Sequence, residues 1–170
     1  IYGWLHQKRA ESFGEMTDLP AALRERLERE AKITALTTAA RQRSKDGTEK
    51  FLFGLEDQNC VETVLMRHYH GLSLCISSQV GCRMGCRFCA STIGGLVRNL
   101  TPGELIGQVH AAMRESGERP DSLVMMGIGE PLDNFDNLLI FFELLSEPKG
   151  FGMSLRHLSL STCGLCDGID

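Results

Sequence analysis

Hydrophobic and polar positions follow three successive rhythms along the chain. The first is helical. Tyr2, Trp4 and Leu5 fall on one apolar face of a short helix, and Leu23 and Leu27 mark the stripe of a second along Ala21–Ala31. Asp18 is a candidate N-cap for that second helix, with Pro20 near its first turn. The rhythm changes at Ser44-Lys45-Asp46-Gly47-Thr48, where Asp-Gly between polar residues signals a turn. Beyond it Lys50–Leu55, Val61–Met66 and Ser73–Val80 are runs rich in β-forming residues, predicting a meander of short strands. From about Leu72 strand and helix alternate. Leu74–Val80 reads as a strand, Gly81–Asn99 as a long loop, and Thr101–Glu115 as a helix with Thr101 as N-cap, Pro102 at N1 and Glu104 at N3. Leu123–Met126 is a near-continuous apolar strand, Gly127–Pro131 a glycine-bearing loop, Asn134–Ser146 a further helix and His157–Ser161 a further strand.

Apolar strands alternating with helices imply an α/β fold with a parallel sheet. The predicted division is a helical part over 1–40, a β-meander over 41–71, and an incomplete strand–helix domain over 72–170. No internal repeat and no low-complexity tract interrupts it.

Composition changes this picture in three places. With 170 residues, 42% hydrophobic and 24% charged, the chain reads as a soluble globular protein. No apolar run approaches the roughly twenty residues needed to span a bilayer, so no membrane partner is expected. The first residue is Ile1 and a helical pattern is already under way there, so a piece of a longer protein is expected. The net charge is −4, but residues 1–50 balance at +2 and residues 51–170 at −6. A basic bias at one end permits a nucleic-acid partner without demanding one. Arg41, Arg43, Lys45, Lys8 and Arg9 are the candidate phosphate contacts, although a solvated face is the commoner fate of such charges.

Seven cysteines, an odd number with tight clustering and no secretory signal, point to metal ligation or redox chemistry in a reducing cytoplasm. The strongest chemical signal is Cys82-Arg83-Met84-Gly85-Cys86-Arg87-Phe88-Cys89, a C-x3-C-x2-C loop directly after a strand. Three thiolates on one loop can each bind one iron of a [4Fe–4S] cubane and leave the fourth iron without a protein ligand. That open corner can take the amino and carboxylate groups of S-adenosylmethionine (SAM) and pass an electron to its sulfonium. Phe88 would either shield the cluster from water or pack within the loop. The rival reading is structural zinc held by Cys86-x2-Cys89 and Cys163-x2-Cys166, a pairing with unusually wide separation that leaves Cys82 idle.

Other residues stand between a functional and a bland role. The glycines of Gly127-Ile-Gly-Glu-Pro131 allow close backbone approach to a ligand at a strand end, and Glu130 could meet the SAM ammonium group. A dinucleotide turn is the rival there, but Leu132 stands where a further glycine is needed. Alone, Ser161 is a strand-end hydrogen bonder, Glu62 a solvent-facing strand residue, and Cys75 a small buried one. Cys60 reads as structural, and Cys163 and Cys166 as packed core thiols.

The run Cys75-Ile-Ser-Ser-Gln-Val-Gly-Cys82-Arg-Met-Gly-Cys86-Arg-Phe-Cys89-Ala-Ser-Thr, followed by Arg98-Asn-Leu-Thr101 and Glu104-Leu-Ile-Gly-Gln108-Val, resembles the RlmN/Cfr family of radical-SAM RNA methyltransferases. So do Met125-Met-Gly-Ile-Gly-Glu-Pro-Leu-Asp-Asn-Phe-Asp-Asn137, Tyr2-Gly-Trp4 and Asp46-Gly-Thr-Glu-Lys50. The likeness covers nearly the whole chain.

The resemblance implies the first part of a partial (β/α)6 TIM-like barrel. It implies [4Fe–4S] held by Cys82, Cys86 and Cys89, and SAM contacted by Gly129, Glu130 and Ser161. It implies methylation of adenine C2 in 23S rRNA, with some tRNAs as further substrates. C8 of the same base is the alternative, and a radical-SAM enzyme with a non-RNA substrate or a zinc-stabilised RNA-binding module are the wider ones. In the family a cysteine near the C-terminus is first methylated and later carries a covalent RNA adduct. Cys75 matches the second cysteine, which resolves that adduct through a disulfide, and Glu62 matches the carboxylate that accepts a proton. The methyl-carrying cysteine is expected beyond Asp170, so this piece alone is expected to be inactive. An electron donor such as flavodoxin, a monomeric state and a cytoplasmic location complete the expectation.

Overall fold

A computed structural model describes residues 1–169. The predicted opening helix is α1, Tyr2–His6, and the second is α2, Ala21–Glu30. Pro20, and not Asp18, stands at the N-cap of α2; the Asp18 carboxylate instead accepts the Trp4 indole N–H at 2.5 Å. Ala10, Phe13 and Met16 form a small separate core against which Trp4, Leu5, Leu19, Leu27 and Ile33 pack.

The next part is one mixed sheet of six strands, in the spatial order Thr37–Arg43, Glu49–Gly54, Cys60–His68, Gly71–Cys75, Ser122–Met125, Leu158–Leu160. Strands β1 (Thr37–Arg43), β2 (Glu49–Gly54), β3 (Cys60–His68) and β4 (Gly71–Cys75) run as an antiparallel meander. Parallel pairing then joins β4 to β7 (Ser122–Met125), and β7 to β8 (Leu158–Leu160). The meander and the barrel portion therefore share one sheet, with β4 as the seam. β1 begins inside the stretch read as helical from sequence: all seven of its residues are exposed and Thr-Thr-Ala-Ala-Arg-Gln-Arg shows no alternation. The run Ser73–Val80 is not one strand. It divides into β4 and β5 (Gln79–Gly81), and β5 pairs as a separate two-stranded ribbon with β6 (Leu96–Asn99), which lies inside the stretch expected to be all loop.

Helices α3 (Pro102–Ser116) and α4 (Phe135–Ser146) cover one face of the sheet. α3 starts as its sequence dictates: Thr101 Oγ1 accepts from the Glu104 N–H at 3.2 Å, and the Glu104 carboxylate accepts from the Thr101 N–H at 2.9 Å. Its buried side, Leu105, Ile106, Val109, Ala112 and Met113, meets Phe51, Phe53, Val61, Leu65, Leu74 and Leu123 in the main core. Alternation in β2 and β3 sends Phe51, Phe53, Val61 and Leu65 into that core and turns Lys50, Leu52, Glu62 and Val64 to the other face. Paired residues lie on the same side of a sheet, so the register Lys50↔Val64↔Cys75↔Val124↔Ser159 runs across this second, uncovered face.

Candidate active site

Parallel strands β4, β7 and β8 end at a common edge, where ligands meet sheets of this kind. Cys75 is the last residue of β4, the Gly127–Glu130 loop follows β7, and Ser161 follows β8 with its N–H bonded to the Met125 carbonyl at 3.3 Å. β3 runs the other way, which brings Glu62, near its start, to the same edge. The Ser77 hydroxyl fixes that neighbourhood by donating to the Glu62 carbonyl at 2.7 Å and accepting from the Ile128 N–H at 3.0 Å. The fold thus gathers Glu62, Cys75, the cysteine loop, Gly129, Glu130 and Ser161 at one end of the sheet, although they come from five segments of sequence.

Glu62 is half-exposed, and its carboxylate forms an ion pair with Lys50 Nζ at 2.9 Å. Cys75 lies on the same face. Burial pushes its thiol up from the ordinary cysteine value, partly offset by the Met126 N–H that bonds to it.

The cysteine loop is closed at its base by the β5–β6 ribbon and by the Cys82 N–H, which donates to the Gly95 carbonyl at 3.0 Å. Cys82 is buried, while Cys86 and Cys89 are partly exposed. The Cys89 N–H donates to the Cys86 carbonyl at 3.0 Å, and the Thr92 hydroxyl donates to the Cys89 carbonyl at 2.9 Å. The Ser91 hydroxyl and N–H lower the Cys89 thiol, easing formation of the thiolate a metal requires. Phe88 is 94% exposed, so it does not pack within the loop. Among the described residues, no three Cys, His, Asp or Glu side chains already converge on one point, including the pairs expected for zinc.

Glu130 is 4% exposed. Its Oε1 accepts from the Leu132 N–H at 3.1 Å and its Oε2 from the Cys163 N–H at 2.7 Å, tying the β7 loop to the β8 loop. Burial raises this carboxyl, but hydrogen bonds from Cys163, Thr162 and Leu132 outweigh it and leave the group below its ordinary value. Cys163 and Cys166 are both exposed, contrary to their reading as packed core thiols. The Glu130 carboxylate, then burial, then the field of Cys86 push the Cys163 thiol up. Gly129 adopts φ +105°, and a Cβ there would lie 2.6 Å from Gln79 Cβ. Only glycine fits.

Several residues that hold this edge together were not assigned a role from sequence. Gln108, fully buried on α3, accepts from the Ser77 N–H at 2.9 Å and the Thr63 hydroxyl at 3.0 Å, and donates to the Ser77 carbonyl at 2.9 Å. Asn134 donates to the Ser78 and Leu100 carbonyls at 2.9 and 2.8 Å. Ser77, Ser78 and Gln79 are buried as well. The available signal was a polar residue on an otherwise apolar helix face or strand.

Comparison with known proteins agrees with this geometry. A model described as "Radical SAM superfamily" matches residues 76–168, and one described as "Ribosomal RNA large subunit methyltransferase N-terminal domain" matches residues 1–33. A "Probable dual-specificity RNA methyltransferase RlmN" of Lachnospira eligens is 51% identical over 97% of this chain and 47% of its own length. The protein of the same description from Bacillus subtilis is 51% identical over 97% of this chain and 46% of its own length. The crystal structure of a radical SAM methyltransferase from Sphaerobacter thermophilus superposes with a TM-score of 0.89 at 40% identity, over 97% of this chain and 50% of that one. The chain therefore spans about half the length of the relatives it matches.

Radical SAM enzymes use a [4Fe–4S] cluster and SAM. The donor set here fits that pair: three thiols on one ribbon-closed loop, one of them lowered toward thiolate, beside a glycine-lined edge with an ionised carboxylate. Cysteine loop, partial α/β sheet and the match over residues 76–168 place this chain in the radical SAM superfamily, and over 97% of its length it is similar to proteins described as RlmN.

Proposed function

We propose that the protein containing this chain is a radical-SAM methyltransferase that methylates C2 of an adenine in 23S rRNA and in certain tRNAs. The observation that supports this reading most directly is the meeting of Glu62, Cys75 and the three-cysteine loop at one edge of the sheet, from separate strands. The names of the relatives support RNA as substrate, and the basic balance of residues 1–50 is compatible with it.

In this reading Cys82, Cys86 and Cys89 ligate the cluster, and Gly129, Glu130 and Ser161 contact SAM. When bound, the cluster and SAM supply a carbon-centred radical able to take hydrogen from an unactivated methyl group. Adenine C2 is electron-poor and no ordinary nucleophile, so polar methyl transfer to it is unfavourable. A methyl-bearing cysteine outside these residues would give up a methyl hydrogen atom to that radical, its carbon would add to C2, and the adduct would return one electron to the cluster. Glu62 accepts the C2 proton. Its ion pair with Lys50 directs the carboxylate before that transfer. Cys75 then attacks the sulfur of the joined cysteine: a sulfur–sulfur bond forms, the carbon–sulfur bond breaks, and the released carbon takes a proton to become the methyl group. Burial raises the Cys75 thiol, so it rests protonated and must lose its proton before it attacks. A small electron-transfer protein such as flavodoxin supplies electrons, and the enzyme works as a cytoplasmic monomer.

The test is mass spectrometry of rRNA and tRNA from cells with and without the complete gene. Loss of 2-methyladenosine on deletion is expected; loss of 8-methyladenosine, or of no methyladenosine, overturns the reading. In the complete enzyme Glu62→Gln should stop turnover, and Cys75→Ala should accumulate a protein–RNA crosslink. Unchanged turnover in the first or clean methylated product in the second removes that residue from the mechanism.

A further inference from the structure

The cysteine loop and the Gly127–Glu130 loop leave different strands, yet one buried amide joins them. Gln79 is fully buried. Its Oε1 accepts from the Glu130 N–H at 2.8 Å, while its Nε2 donates to Asn99 Oδ1 at 2.7 Å and to Asp133 Oδ2 at 2.9 Å. Both ends of the amide are thereby engaged, and its orientation is fixed. Asp133 carries the connection onward: its Oδ1 accepts from the guanidinium of Arg83, the residue directly after Cys82. Asn99, on β6 at the far end of the same loop, adds a second strap by donating from Nδ2 to the Asp133 carbonyl at 3.1 Å.

The two members of the Arg83–Asp133 pair differ in setting. The Arg83 side chain is 64% exposed, whereas that of Asp133 is 7% exposed. An ion pair between two exposed groups contributes little, but here removal of the arginine leaves a buried carboxylate with Gln79 as its only side-chain partner among the described residues. Burial pushes the Asp133 carboxyl up, while Arg83 and Gln79 outweigh that effect and hold it below its ordinary value.

We propose that Arg83 and Asp133 are positioning residues for SAM: through Gln79 they lock the cysteine loop to the loop bearing Glu130. A ligand that must touch a cluster on one loop and a carboxylate on another binds more tightly when the spacing of the two is already set, because that ordering no longer counts against binding. The inference rests on the cofactor use of the superfamily and on Glu130 as a SAM contact, and not on the RNA substrate.

The experiment uses the complete protein, reconstituted anaerobically, in the forms Arg83→Gln, Arg83→Lys, Asp133→Asn and Glu130→Gln. Iron content is measured first, and then the electron paramagnetic resonance spectrum of the reduced cluster as SAM is titrated. Arg83→Gln should keep the iron content of the parent, while the SAM concentration that changes the spectrum rises about 10-fold. Asp133→Asn should move the same way, and Arg83→Lys should recover to within about 3-fold of the parent. A SAM titration for Arg83→Gln within about 2-fold of the parent overturns the proposal. So does loss of iron in step with loss of the SAM response, which makes Arg83 a support of the cluster alone. If Glu130→Gln leaves the titration unchanged while Arg83→Gln shifts it, the Glu130 assignment falls and the lock acts on another part of the same loop.

Discussion

Gln108 shows how one side chain can carry more of the site than its composition class suggests. Its amide serves both backbone groups of Ser77 and the Thr63 hydroxyl, all within the core. Gln108→Leu preserves volume but strands a buried N–H, a buried carbonyl and a hydroxyl, so urea unfolding should show a loss of about 2–4 kcal/mol. Cys60→Ser, at an exposed thiol, should stay within about 0.5 kcal/mol of the parent in the same measurement. The contrast explains what could be read at this scale. Cys82, Cys86 and Cys89 stood out because a cluster held on a single loop would dictate residue type and spacing, and the C-x3-C-x2-C run has both. Gln79, Gln108 and Asp133 did not, because glutamines and carboxylates usually face water and only the folded arrangement shows that these three turn inward.

Among the elements, the ribbon of β5 and β6 decides whether the cysteine loop has a fixed base. Gly81 sits at φ +73°, and a Cβ there would lie 2.0 Å from the Gly95 carbonyl oxygen, the acceptor of the Cys82 N–H. Gly81→Ala is therefore expected to force the ribbon apart, lowering the thermal midpoint and the iron bound per chain. Gly85, inside the loop, has φ +69° but nothing within 4 Å of a built Cβ. Gly85→Ala should cost only the backbone strain, about 1–2 kcal/mol, and retain iron. Helix α3 was legible to within a residue because Thr101, Pro102 and Glu104 form a local start signal that needs no tertiary context. β1 was invisible because it is an exposed edge strand with no apolar face, and β5 and β6 because three and four residues are too few to establish a period.

Taken as a whole, the molecule joins its helical N-terminal part to the sheet domain beside His110. The His6 and His110 rings stand 5.4 Å apart, and His110 Nε2 is enclosed without a hydrogen-bond partner among the described residues. Burial, then the fields of His6, Arg9 and Arg114, lower His110 from 6.5 to about 3. An unfolded chain would take up a proton at this residue near pH 6.5 while the folded one does not. Its contribution to stability is thus complete above that pH and drains away as pH falls toward 3, with a slope of up to about 1.4 kcal/mol per pH unit. Thermal midpoints measured between pH 7 and pH 5 should fall accordingly, and His110→Gln should flatten the fall. Strand order has a different consequence. β4 and β7 are immediate neighbours in the sheet, yet the entire excursion from Ile76 to Asp121, cysteines included, lies between them in the chain. Their parallel pairing has to wait until the two ends of that excursion meet, a closure whose entropic cost grows with the length of free chain. Cys82, Cys86 and Cys89 span only eight of the 46 residues from Ile76 to Asp121, so joining them to one cluster would shorten the free chain little and leave the closure to the rest of the excursion.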